Sequence, residues 1–212
     1  KFNLKDYKIF KYNPDPKILT GEIETLTNYS QRKRNLELRK KLFKDKEDDQ
    51  SIRELEKLEK IYTLGGVNFD SVIILDFGSS LKSVLTSLAF ADVDQDKVLF
   101  TTLNQWFDES IFYENTVKSL YYPSVNYKEF KKYKDNYYKI YKNSPSEITI
   151  LAYDAIGLIY YIFKNNGKIN SVNDFSFKDK IKGKIGTFGF NNKKIIQDLN
   201  IYQAKNNKFT KF

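Results

Sequence analysis

The stretch "GGVNFDSVIILDFGSSLKSVLTSLAF", residues 65–90, sets the expected architecture. A Gly-Gly turn leads into a continuous apolar run at 72–75, a polar loop "DFGSS" follows, and then Leu81, Val84, Leu85 and Leu88 recur at helical spacing. A strand without polar alternation is apolar on both faces. It belongs in a sheet covered on both sides, and a strand feeding an amphipathic helix is the first half of a β-α-β crossover. "DKVLFTT" at 96–102 repeats the strand pattern and "SLYYPSV" at 119–125 gives a third. Together they predict an α/β fold with a parallel sheet flanked by helices.

Working outward, "YKIFKY" at 7–12 alternates as a strand does, and "NPDP" ends it. The text from Ile18 to about Lys46 reads as helix, with Ile23, Leu26, Tyr29 and Leu36 as a partial stripe. "KDKEDDQ" at 44–50 is a solvated connection to a second helix, "SIRELEKLEKIY", whose Ser51 and Glu54 have capping-box spacing and whose Ile52, Leu55, Leu58, Glu59 and Tyr62 define one face. "YKEFKKYKDNYYKIYKN" at 127–143 is amphipathic, with Phe130, Tyr133, Tyr137 and Ile140 or Tyr141 on one side and lysines on the other. "SPSEITILAYDAIGLIYYIFKNNG" at 144–167 is apolar all round, stops at Gly167, and reads as a buried core helix. Its apolar core at 148–163 is shorter than the about 18 residues a spanning helix needs and is interrupted by Asp154. After a short segment around "SVNDFSFKDK", two strands close the chain, "GKIGTFGF" and "DLNIYQAK", joined by the polar turn "NNKK".

Composition removes most catalytic chemistry. The 212 residues contain no cysteine and no histidine, so disulfides, thiol nucleophiles, the common zinc sites and every histidine-based triad are absent. The net charge of +9 raises the prospect of a nucleic-acid or anionic-membrane partner. Arginine, however, occurs at Arg32, Arg34, Arg39 and Arg53 alone, within a Lys-, Asn-, Ile-, Tyr- and Phe-rich text of the kind an AT-rich genome encodes, and no nucleic acid is expected as a partner. Methionine is missing even at position 1, and the chain reads as an excerpt of a longer protein.

Specific motifs fail on inspection. "DVDQDK" offers Asp92, Asp94 and Asp96 as the first ligands of an EF-hand loop, but Lys97 stands where glycine is needed and Leu103 where a bidentate glutamate is needed. Asp108, Glu109 and Glu114 have no spacing that marks a carboxylate pair. Gly183, Gly186 and Gly189 lead into a strand rather than a helix N-terminus, so they lack the amides that hold a phosphate. No enzyme, cofactor or metal is expected. Asp154 reads as a structural acid that needs a hydrogen-bond partner, because an unpaired buried carboxylate is costly.

The order of these motifs, with "LYYPSVNYKEFKKYKDNYYKIYKNSP", the "AYDA" tetrad at 152–155 and the closing "GKIGTFGFNNKKIIQDLNIYQAKNNKF", resembles type I periplasmic binding proteins of the leucine-binding class over residues 7–212. "YNPDPKILTGEIETLTNYSQRKRNLELRKKL" and Trp106 look most like the penicillin-binding-protein activator branch of that class. The resemblance implies two α/β lobes joined by a hinge. Residues 1–145 would form a carboxy-terminal-type lobe, and 146–212 a returning segment with hinge crossings and an incomplete amino-terminal lobe. It implies a non-catalytic periplasmic protein, tethered to the outer membrane by a lipid anchor outside this chain, whose partner is a cell-wall synthase (a penicillin-binding protein). The alternative it implies is a solute receptor that delivers amino acids or related small anions to an ABC permease.

In an open α/β sheet, ligands sit beyond the carboxyl ends of the strands. That rule makes Phe77, Gly78, Ser79 and Ser80, then Asn104, Gln105 and Trp106, then Tyr122, the ligand-cleft candidates. Ser79 or Ser80 could cap the following helix, leaving its free amides for an anion. Amino-acid receptors of the class imply an acid on the loop after the second strand, where this chain has Leu103, Asn104, Gln105 and Trp106, and Thr101 and Thr102 stand where relatives often carry glycine.

Overall fold

Ser71–Ile74 (β1) and Leu99–Thr102 (β2) run side by side and parallel, with Ser71 opposite Leu99 and Ile74 opposite Thr102, in a computed structural model that describes residues 6–175, 177, 179–191 and 194–212. Gly78–Phe90 (α4) makes the crossover between them, burying Leu81, Val84, Leu85 and Leu88. This is the β-α-β unit that residues 65–102 predict. Thr102 Oγ1 donates to Ile74 O at 2.8 Å and Thr101 Oγ1 to Val72 O at 3.3 Å, so both threonines add side-chain bonds to the ladder.

The chain divides into two compact units. One runs to Thr102 and includes Tyr113–Leu120; the other holds Leu103–Phe112 and Tyr121–Phe212.

The first unit contains β1, α4, β2 and three helices ahead of them: Pro16–Leu26 (α1), Tyr29–Lys44 (α2) and Asp49–Glu59 (α3). The helix expected from Ile18 to Lys46 is two helices. Thr27 turns its hydroxyl back onto Ile23 O at 2.8 Å, and Asn28 takes a left-handed conformation that an α-helix cannot continue through. Pro16 opens α1 behind an Asp15 cap, as proline at the first helical position should. The third helix is capped by Asp48, whose Oδ1 accepts from Ser51 N at 2.9 Å; the expected cap, Ser51, lies three residues inside and is buried. Of the face proposed for α3, Leu58 is buried, whereas Ile52 and Tyr62 are exposed. Residues 7–12 form no strand: alternation satisfies the period, but a strand needs a ladder, and Tyr7, Ile9 and Phe10 stay exposed.

A buried guanidinium ties this unit together. Arg32 donates through Nε to Gly65 O (3.0 Å), through one terminal nitrogen to Ala91 O (3.0 Å), and through the other to Thr63 Oγ1 and Asp92 O (both 2.8 Å). Thr63 Oγ1 in turn donates a hydrogen bond to Asp92 Oδ2 at 2.5 Å. The planar fork therefore joins α2, the linker after α3 and the turn after α4.

In the second unit, Glu109–Phe112 (α5) and Leu120–Ser124 (β3), all but the first residue of which lies in this unit, precede Tyr127–Tyr141 (α6) and Glu147–Asn166 (α7). A short 3-10 turn at Val172–Phe175 then leads to Ile181–Lys182 (β4), Thr187–Asn191 (β5), Lys194–Gln197 (β6), Asn200–Lys205 (β7) and Lys208–Lys211 (β8). The antiparallel hairpin β7–β8 lies beside β3, and β4, β5 and β6 make a separate three-stranded antiparallel sheet. The described residues of the carboxy-terminal region thus hold five strands where two were expected, because short exposed strands carry little pattern. The "NNKK" turn includes Asn192 and Lys193, which lie outside the described residues, as do Ser176 and Lys178 of the "SVNDFSFKDK" segment.

The helix α7 departs most from expectation. Ile150, Leu158 and Ile162 are buried, with Leu158 and Ile162 against Phe188 of β5, but Ile148, Ile156, Ile159 and Phe163 are exposed. Burial follows one stripe at every fourth residue, since a helix resting on one sheet covers one face.

Candidate functional site

The loop after β1 is built from Asp76 outward. Its Oδ1 accepts from Phe77 N at 2.8 Å, and its Oδ2 accepts from Tyr12 Oη, which ties the amino-terminal segment to the carboxyl end of the strand. Desolvation, followed by the hydrogen bond and charge of Asp76, raises the Tyr12 phenol to a pKa of about 12, so it stays a donor at every physiological pH. Phe77 is extended and occupies the cap position of α4 without a side-chain bond to it; Gly78 enters the first turn at φ +54°, where a side chain would be strained. Ser79 and Ser80 therefore sit inside the helix and do not cap it, contrary to expectation. Tyr12 and Asp76 were not singled out from sequence. Asp76, first residue after an apolar strand, carried the signal; Tyr12 carried none, because 64 residues separate it from its partner.

The loop after β2 is organised around its backbone. Asn104 Oδ1 accepts from Trp106 N at 3.0 Å and from Ser124 Oγ at 2.8 Å, joining this loop to the end of β3. Trp106 and Phe107 both adopt positive φ, 52° and 63°. That reversal buries Phe107 among Tyr122, Tyr127, Phe130, Tyr202 and Phe209, at centroid distances of 4.8–5.9 Å, and leaves Trp106 half-buried with its ring 6.1 Å from Phe130. Gln105 and Tyr122 are buried, and Tyr122 stacks on Phe112 at 4.5 Å. Sequence reasoning weighed the tryptophan and passed over its neighbour, which is the packed aromatic. Of the candidates in this unit, Asn104 and Trp106 are joined directly and Tyr122 belongs to the aromatic cluster.

Asp154 meets the glycine-rich turn. Its Oδ1 accepts from Lys184 N at 2.6 Å, and Ile185, the next residue, accepts through its carbonyl oxygen from Asn126 N at 3.1 Å. One carboxylate thus links α7 to the β4–β5 turn and, through Ile185, to the start of α6. Gly183 is required there, for a Cβ would lie 2.5 Å from Asp154 Oδ2 and 2.9 Å from Phe188 Cε1. Desolvation raises the Asp154 carboxyl above the ordinary range, opposed by backbone amides and the Lys184 charge. A raised folded-state pKa means the fold holds the proton more tightly than the unfolded chain does. The associated stability is present at low pH and lost as pH rises through the raised value. Urea titrations should therefore find wild type losing ground to Asp154→Asn between acid and neutral pH. Asp154→Ala, which strands the part-buried Lys184 amide, should cost about 1–3 kcal/mol.

The acidic run after α4 is a turn. Asp94 Oδ1 accepts from Asp96 N at 2.9 Å, which with Lys97 lowers its carboxyl pKa, and Gln95 is pinned to Thr116 O, Lys118 N and Ser119 N. Among the described residues no group of three or more acids could hold a metal ion. None of their helices is long and apolar enough to cross a membrane.

With this geometry in view, the fold is that of type I periplasmic binding proteins. It is similar to a solved structure from Rhodospirillum rubrum described as a branched-chain amino acid ABC transporter, with a TM-score of 0.57 and 12% identity. The likeness covers 79% of this chain and 49% of that one, so the chain spans about half the length of the structure it matches. No family model matches the chain. No curated protein matches it.

Proposed function

We propose that this chain is part of a non-catalytic, periplasmic, type I binding-protein-like protein of the penicillin-binding-protein activator kind, acting through contact with a cell-wall synthase. Residues 1–145 would serve as the carboxy-terminal-type lobe and 146–212 as the returning segment. The observation that carries this reading is the loop after β2. Asn104 has its Oδ1 engaged by Trp106 N and Ser124 Oγ, and Asp108 Oδ1 is engaged by Ser110 N at 2.9 Å. Amino-acid receptors of the class this chain resembles would carry on this loop a carboxylate that holds the ligand ammonium. Here Asn104 stitches the loop and the next acid closes a turn. A protein-contact role tolerates such a cleft and needs an exposed patch instead.

The second reading, a solute receptor for an ABC permease, is favoured by the helix α4, whose first turn no side chain caps and whose amides could receive an anion. Against it, the Asp76 carboxylate stands next to that turn. Two experiments separate the readings in the full-length protein. Affinity capture should recover a peptidoglycan synthase. A thermal-shift screen of amino acids and small anions should be flat, since a true ligand at ~100 times its dissociation constant adds about 2.7 kcal/mol. Capture of no synthase together with a strong shift from one solute defeats the proposal.

A further inference from the structure

We propose that the outer edge of β1 receives a further parallel strand, supplied by the stretch of polypeptide ahead of residue 1 and lying between β1 and residues 7–12. β1 ends the strand order of its sheet and is paired with β2 on one side. Its carbonyls show which groups that pairing uses. Asp70 O accepts from Leu99 N at 2.8 Å, Val72 O from Thr101 Oγ1 at 3.3 Å and Ile74 O from Thr102 Oγ1 at 2.8 Å. Along a strand, successive residues direct their N–H and C=O to opposite sides. The backbone groups of Ser71, Ile73 and Leu75 therefore point away from β2, along an edge with no neighbouring strand among the described residues.

Three observations identify what fills that edge. Edge strands that face water are guarded by lysine, proline, a bulge or an inward charge, whereas residues 72–75 read Val-Ile-Ile-Leu without interruption. A strand of a parallel sheet is covered on both faces, yet Ile73 is 64% and Leu75 71% exposed while Ile74 is buried, so one face of β1 is covered and the other bare. Residues 7–12 alternate as a strand does, lie in no ladder, and are fixed through Tyr12 to Asp76, two residues past the end of β1. Directly paired strands stand about 5 Å apart, too close for a phenol and a carboxylate to meet tip to tip. One strand between them sets the two backbones about 10 Å apart, which the two side chains together span.

Connection rules give the source. A strand parallel to its neighbour is reached by a crossover of about a dozen residues or more, usually through a helix. Six residues precede residue 7, too few for that crossover, so the inserted strand lies ahead of residue 1. The helix of the crossover then supplies the cover that Ile73 and Leu75 lack. The matched structure has room for both, since the likeness spans 49% of that chain.

The test is made in the full-length protein. Irradiating the Ile73→p-benzoylphenylalanine variant should join residue 73, within one molecule, to a peptide from ahead of residue 1. Hydrogen exchange of the wild type should find the Ile73 amide protected to within about tenfold of that of Ile74. Ile9→Cys combined with Ile73→Cys should be bridged by a bismaleimide spanning about 10 Å. The same pair should form no disulfide, which needs Cα atoms closer than about 7 Å. A disulfide between them overturns the proposal by setting residues 7–12 directly on β1. So does photo-cross-linking into a second copy, or an Ile73 amide that exchanges freely while that of Ile74 is held.

Discussion

Replacing Phe107 with alanine is expected to lower the unfolding free energy by about 3–5 kcal/mol, the range for removing a buried aromatic ring. The ring is 4% exposed and lies 4.8 Å from Tyr127, 4.9 Å from Tyr202, 5.4 Å from Phe209, 5.6 Å from Phe130 and 5.9 Å from Tyr122. It reaches them from a left-handed backbone at two successive non-glycine residues, a conformation costing about 1–2 kcal/mol per residue. Burial of the ring offsets that strain. Without the ring the loop should relax as well as leave a cavity. The single tryptophan, Trp106, adjoins the substitution, so its fluorescence reports loop and unfolding together in one urea titration. A loss below about 1 kcal/mol would mean neighbouring rings close the gap and the cluster does not hold the loop.

Arg32→Ala should cost about 2–4 kcal/mol, since it removes charge-assisted bonds and leaves carbonyls behind it unpaired in a largely buried site. Arg32→Lys should recover less than half of that loss, because one ammonium on a flexible stem cannot reproduce a planar fork directed at Gly65, Ala91, Thr63 and Asp92. Thermal melts of the three proteins at one salt concentration decide it. Equal stability of the lysine variant and wild type would show that charge alone matters there.

The β-α-β unit was legible because its signals are local. Four apolar residues followed by a loop and a helical stripe specify strand, turn and helix within one window, and the β1–β2 ladder runs in the expected direction. The candidate loops were legible as positions, through the rule that binding residues follow strand ends. Their internal wiring was not. Asn104 finds Ser124 twenty residues on, and Tyr12 finds Asp76 across three helices. Trp106 drew attention through its place on the loop after the second strand, yet packing went to Phe107, because two successive positive φ values turn that side chain inward and leave its neighbour half-buried.

From sequence alone came the class of fold, the helices at α4, α6 and α7, the lack of thiol and imidazole chemistry, and the demand that Asp154 find a partner. These rest on composition and on short-range periodicity, which the chain carries in every conformation. Tertiary structure alone decided that Arg32 is a buried tie, that Gly183 must lack a side chain because Asp154 fills its space, and that α7 covers one face and bares the other. Each depends on residues distant in sequence reaching the same few ångströms, and on which surfaces find cover, so no window of neighbouring residues contains the information.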